Sequence, residues 1–160
     1  VLLRRSVRAN LLFALSASGY ARQTRAELAE KWMHQGKLAH LVDQPARRLS
    51  GGEQQRLSLV RALCCNPEIL FLDEPCAHLD VNAAQDVEAL IKSAIEAGIK
   101  VVMITHDRAQ ARRFGGEILL MEGGQVKAQE GAALFFGPSQ NPWTQAFLQG
   151  YEILDAEAET

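Results

Sequence analysis

Apolar residues recur at spacings of three and four over residues 6–15, 51–65 and 82–97, while 69–72 and 100–104 are short, nearly continuous apolar runs. The first pattern predicts a helix over 6–15 with Leu11, Leu12 and Leu15 on a common side, broken at Ser16-Ala17-Ser18-Gly19. Thr24 and Glu27 have the T-x-x-E form of a capping box, which predicts a second helix running to about Leu38. Pro45 disfavours helix at the residue before it, so Asp43-Gln44-Pro45 reads as a break. Ser50 and Glu53 repeat the capping-box pattern, and a helix over 51–65 would bury Leu57, Val60 and Leu63 or Cys64. Asn66-Pro67 ends it. The runs Ile69–Leu72 and Lys100–Ile104 read as strands buried on both faces of a parallel sheet. Between them, a helix over 82–97 would turn Val87, Leu90, Ile91, Ala94 and Ile95 inward, with Gly98 suited to its C-terminal cap.

After residue 104, Asp107 is placed to cap a helix reaching Phe114. Gly123-Gly124 between 117–121 and 125–128 is a hairpin turn, and short helices are expected at 131–136 and 142–149. Residues 151–160 form an acidic tail, expected to be frayed. The alternation of helix and strand in the middle of the chain is the pattern of an α/β fold with a parallel sheet.

Bulk composition narrows the classes without choosing one. The 160 residues, 48% hydrophobic and 22% charged, suffice for one domain with a real core. A net charge of −2 argues against a nucleic-acid binder driven by bulk charge. No apolar run approaches the roughly 18–20 residues that cross a bilayer. Val1-Leu2-Leu3-Arg4-Arg5 has no signal-peptide core and no starting Met, as expected of a chain that begins mid-protein. Cys64, Cys65 and Cys76 are odd in number, two of them adjacent, and are expected to be buried reduced thiols rather than a disulfide framework or zinc site.

Two places carry chemistry. At Ser50-Gly51-Gly52 a helix begins with no side chains on two residues, so an anion can approach first-turn N–H groups that lack intrahelical partners. The Ser50 hydroxyl can cap the helix or donate to a phosphate oxygen. Taken alone, Ser-Gly-Gly reads first as a plain capped helix after a turn. At the carboxyl end of the strand 69–72 stand Asp73 and Glu74, where ligands of open parallel sheets bind. Adjacent acids at a strand end are also ordinary solvated charges.

The longer runs decide between these readings. Leu49-Ser50-Gly51-Gly52-Glu53-Gln54-Gln55-Arg56 resembles the signature motif of the ABC ATPases, and Ile69–Glu74 followed by Pro75 resembles their Walker B motif. Ala77-His78-Leu79-Asp80 is similar to the D-loop, and Thr105-His106-Asp107 to the switch-histidine loop. The resemblance implies a RecA-like, P-loop NTPase-like parallel sheet with a small helical subdomain at about 6–48, the remaining motifs lying within 49–150. It implies ATP and Mg²⁺ as ligands. Asp73 would serve Mg²⁺ and Glu74 would activate water. His106 would contact the γ-phosphate. Ser50, Gly51, Gly52 and Gln54 would face a nucleotide held by the opposite subunit of a dimer. Asp80 would shape the dimer interface or simply cap the following helix. Cys76 departs from the residue types expected after Asp-Glu-Pro.

The G-x-x-x-x-G-K-[ST] run that cradles phosphates does not occur in these 160 residues, and neither does a Q-loop segment before Val1. The resemblance therefore covers an ABC domain without its N-terminal part. Either the sequence is a piece of a normal ATPase, or it is a shortened, non-catalytic protein that offers its signature to another subunit's nucleotide. The chain alone is expected to be inactive. Arg4, Arg5, Ser6, Val7, Arg8, Asn10 and Leu11 resemble the start of the helical subdomain in bacterial importers, and Gly131–Phe136 and Pro142–Leu148 resemble their tails. The absence of sustained heptads weighs against the non-transport members of the family. The implied partners are a second ABC subunit, transmembrane permease subunits and a solute-binding protein, with no nucleic acid. The implied place is the cytoplasmic face of the inner (plasma) membrane, and the implied cargo an oxyanion (tungstate, molybdate or phosphate) or an amino acid.

Overall fold

The computed structural model describes residues 2–150, in two compact units that divide after Ile104. In the first unit the helices are α1 (Val7–Ala17), α2 (Arg22–Gln35), α3 (Gly51–Leu63) and α4 (Val81–Glu96), and the strands are β1 (Ile69–Asp73) and β2 (Lys100–Ile104). Single 3₁₀ turns at Ala39–Leu41 and Ala46–Arg48 carry the chain from α2 to α3.

Leu11 and Leu15 of α1, Leu57 and Val60 of α3, and Val87 and Ile91 of α4 are all fully shielded from water. These are the faces that helical periodicity selects. The N-cap of α2 lies three residues before the expected one. Ala21 is its N-cap and makes no side-chain cap, while the Thr24 hydroxyl donates to the Ala21 carbonyl at 3.0 Å. The T-x-x-E pattern at 24–27 is thus inside the helix rather than at its start. A hydroxyl in the first turn can bond back to a carbonyl as readily as it can cap.

β1 and β2 run parallel with Ile69 opposite Lys100 and Asp73 opposite Ile104, and α4 is the crossover between them. This is the expected βαβ unit. α4 ends in a Schellman arrangement: Ile99 N donates to Ala94 O, Gly98 N donates to Ile95 O, and Gly98 adopts φ +85°. Two expectations fail here. Ile95 is 39% exposed rather than inward. The strands are buried on one face only. Leu70 is covered, whereas Ile69, Phe71, Val102 and Ile104 are exposed on the other side of the pleat. α4 packs against β2. Sequence alone shows that both faces are apolar, not which of them is covered.

The second unit holds α5 (Arg108–Phe114), the antiparallel pair β3 (Glu117–Glu122) and β4 (Gln125–Gly131), α6 (Ala132–Phe135) and α7 (Pro142–Gln149). Gly123 and Gly124 both take positive φ in the hairpin turn, as two-residue turns of this kind require. The register shifts between Leu120 and Met121, which leaves Lys127 as an extra residue on β4. Its ammonium sits 4.5 Å above the Trp143 ring. Glu130 holds the 139–144 segment against the hairpin, accepting from the hydroxyls of Ser139 (2.8 Å) and Thr144 (2.9 Å). The acidic tail expected at 151–160 lies outside the described residues.

Candidate functional site

Ser50 is the N-cap of α3. Its hydroxyl oxygen accepts Glu53 N–H at 3.4 Å, and the Glu53 carboxylate accepts Ser50 N–H at 2.7 Å, so the capping box is complete. Because the oxygen is the accepting atom, the hydroxyl proton remains available for donation to a ligand. The bonds to Ser50, first the one from its backbone, hold the Glu53 carboxyl below its ordinary pKa.

The two glycines differ. A Cβ on Gly51 would meet open space, whereas a Cβ on Gly52 would lie 2.6 Å from the Ala83 Cβ of α4. Gly51 is the position where an anion can reach bare backbone. Gly52 is there for helix packing, a reason that the motif alone does not reveal. The Gln54 side chain folds back, its Nε2 donating to Leu49 O at 2.8 Å. Beside this helix start runs a groove of about 520 Å³, bordered by Arg4, Arg47, Gly51, Gln54, Gln55 and Ser58. Its two arginines give it a positive character.

Asp73 is the last residue of β1 and is exposed. Glu74 is half-buried, and its N–H donates to Ile104 O at 2.9 Å, which carries the β1–β2 ladder one residue beyond the strand. Its φ is +45°, in the left-handed region that costs a non-glycine residue on the order of 1–2 kcal/mol. His78, four residues on, is also left-handed, at φ +61°. Strained backbone of this kind persists where its surroundings over-determine it, and it clusters at functional sites. Pro75 is buried between the two. Asp80 then caps α4, accepting Ala83 N–H at 2.9 Å. The structure thus shows Asp80 in the capping role.

His106 lies in the second unit and is exposed. The backbone on its far side is fixed by Asp107, whose N–H donates to Thr105 Oγ1 (3.0 Å) and whose carboxylate caps α5 at Ala109 N and Gln110 N.

Three features escaped the sequence reading. Arg56 is buried, with Nε donating to Gly36 O at 3.0 Å and one terminal nitrogen 3.3 Å from Asp86. Asn10, fully buried, accepts Leu3 N–H at 2.9 Å and donates to the carbonyls of Leu3, Arg5 and Ser6. The three thiols are free, as expected, but only Cys64 is buried. Burial, and then the neighbouring Cys65, push the Cys64 pKa up to about 12.

At the end of β1, Asp73 offers one exposed carboxylate, and among the described residues there is no group of three or more metal-binding side chains. That donor set fits Mg²⁺, which keeps its waters and is commonly held by one or two carboxylates together with substrate phosphates. It does not fit a metal caged by protein alone.

Residues 2–77 match the family model described as ABC transporter. The chain is 32% identical to the general L-amino acid transport ATP-binding protein AapP of Rhizobium johnstonii, over 76% of this chain and 48% of that one. It is 37% identical to the molybdenum import ATP-binding protein ModC of Mycobacterium tuberculosis, over 68% of this chain and 29% of that one. Among solved structures it resembles the dimeric, post-hydrolysis ATP-binding cassette MJ0796 bound to ADP and Pi. The TM-score is 0.72 at 29% identity, covering 82% of this chain and 59% of that one. The chain spans about half the length of the curated relatives that it matches. Motifs, α/β fold and comparisons converge on one family, and this chain belongs to the ABC transporter ATP-binding proteins.

Proposed function

We propose that the chain is part of the ATP-binding, ATP-hydrolysing subunit of an ABC importer, and that residues 6–48 act as its helical subdomain and 49–150 as the signature-to-tail part of its catalytic domain. The observation that carries the reading is the conjunction of the sealed capping box at Ser50–Glu53 with a left-handed Glu74 directly after Asp73 at the end of a parallel strand. A solvated surface needs neither.

In this reading Ser50, Gly51, Gly52 and Gln54 face the γ-phosphate of ATP held by the opposite subunit. Ser50 donates its hydroxyl proton and Gly51 offers bare N–H groups. Gln54, whose amide nitrogen is engaged by Leu49 O, has its side-chain oxygen left to orient. Asp73 holds Mg²⁺, which when bound offsets the phosphate charge. Glu74 takes the proton from the attacking water, His106 contacts the γ-phosphate, and Asp80 shapes the loop between subunits. The rate gain comes from positioning and charge stabilisation.

A second copy supplies the facing half of each site, as the dimeric neighbour supports. Permease subunits and a solute-binding protein complete the assembly, which lies on the cytoplasmic face of the inner membrane. No helix among the described residues is long and apolar enough to cross a membrane. The relatives named above are a general L-amino acid transport and a molybdenum import ATP-binding protein. That spread supports import as the class and leaves an oxyanion or an amino acid as the cargo to test. In the assembled transporter, Glu74→Gln is expected to keep ATP binding and to lower turnover at least about a hundredfold, the scale of a lost general base. Wild-type hydrolysis by that variant would overturn the reading.

A further inference from the structure

Arg56 closes the signature run, yet a nucleotide-facing helix start needs nothing from it. It is a buried cation, 9% exposed, and the structure gives it specific work. Its Nε donates to the Gly36 carbonyl at the end of α2, and one terminal nitrogen lies 3.3 Å from Asp86 Oδ2 on α4. The other Asp86 oxygen takes the Lys37 ammonium at 2.6 Å. One guanidinium on α3 thereby joins α2 and α4. Such a planar fork bonds two acceptors at fixed angles, which a lysine cannot do.

One turn earlier on α3, Gly52 lies against Ala83 with no space for a Cβ. Positions 52 and 56 of α3 thus meet positions 83 and 86 of α4, near the starts of both helices. Two small groups in contact resist approach but not sliding. The directional bonds of Arg56 resist sliding as well. Gly36 strengthens the anchor: a Cβ there would lie 2.9 Å from Val60 Cγ1, so the end of α2 is pressed onto α3 where its carbonyl meets Arg56.

We propose that Arg56 is a positioning residue for turnover, which through Asp86 and the Gly36 carbonyl fixes the α3 start bearing Ser50 and Gly51 against the α4 start bearing Asp80. The inference rests on the functional reading above, since it assigns both helix starts to the nucleotide. It also makes α2 part of the same frame, so that a displacement of α2 reaches the signature helix through one side chain.

The test uses the assembled transporter carrying Arg56→Lys, Asp86→Asn or both. kcat, KM for ATP, equilibrium ATP binding and melting temperature are measured well below the melting transition. Because small misplacements at a reacting centre cost up to about a hundredfold, Arg56→Lys is expected to lower kcat about ten- to hundredfold with ATP binding unchanged within about twofold. Asp86→Asn, which leaves Arg56 in place, is expected to lower kcat in the same direction, and the double variant to be no worse than the sum of the singles. If both single variants keep wild-type kcat and lose only thermal stability, Arg56 is merely structural and the proposal is overturned. If Arg56→Lys does not assemble, Asp86→Asn alone decides on the same criterion. Should Glu74→Gln hydrolyse ATP normally in the same preparation, the functional reading itself has failed and this proposal with it. Loss of turnover in Glu74→Gln beside a normal Arg56→Lys rejects only the positioning role.

Discussion

Leu70 and Phe71 are neighbours on β1 with opposite fates. Leu70 is 6% exposed, and Phe71 is 75% exposed on the other side of the pleat. The same division recurs elsewhere in the first unit: Gly52 is closed against Ala83 while Gly51 is open, and Cys64 is buried while Cys65 is not. In each pair the residue types are the same or alike, and only the element packed beside them differs. Chemistry that needs access falls to the open member, and stability falls to the closed one.

The largest effect separates the strand pair. Leu70→Ala is expected to destabilise the chain by about 2–4 kcal/mol, through lost burial and the cavity left behind. Phe71→Ala is expected to cost no more than about 0.5 kcal/mol, as for a surface site. Denaturant unfolding of the two variants checks this, and equal costs would mean that the outer face of the sheet is covered in solution.

The glycine pair comes next. Gly52→Ala is expected to cost about 1–3 kcal/mol, because the added methyl must displace Ala83. Gly51→Ala is expected to leave stability within about 0.5 kcal/mol of wild type or slightly raised, by restricting the unfolded chain. Its effect should appear instead in ATPase turnover of the assembled transporter. A Gly51→Ala variant with unaltered turnover would remove Gly51 from the phosphate-facing set.

The thiols give the smallest effect and the sharpest contrast in kinetics. With its pKa pushed up to about 12, Cys64 carries almost no thiolate at pH 8 and is shielded besides. Peptide mapping after brief alkylation of the native chain should find Cys65 labelled and Cys64 unlabelled until denaturant is added. Equal labelling would place Cys64 at the surface.

Most elements were legible because periodicity and local signals agreed. Over α3 the capping box and the buried series Leu57, Val60, Leu63 point to one answer, and Gly98 marked the end of α4 correctly. β1 and β2 were placed from their apolar runs within a residue. The misses share a cause. Thr24 can cap or bond back, and both options are local and close in energy. Ile95 and Phe71 are apolar whether or not something covers them. Gly52 and Arg56 owe their roles to partners far along the chain, Ala83 and Asp86, which no spacing rule connects. Candidate site residues could be named from sequence because they fall in short contiguous runs. The left-handed backbone at Glu74 was invisible, since glutamate gives no sign of positive φ.

Asn10 has a consequence for how this chain can vary. Every bond it makes to Leu3, Arg5 and Ser6 goes to main-chain atoms. The clamp is therefore blind to the side chains it holds, and Arg4 and Arg5 project from it into solvent. Charge and size at those two positions can be exchanged without releasing the path of the chain. The entry to α1 thus combines a fixed route with an editable surface, so that fit to a different neighbour can be retuned there without refolding anything beneath.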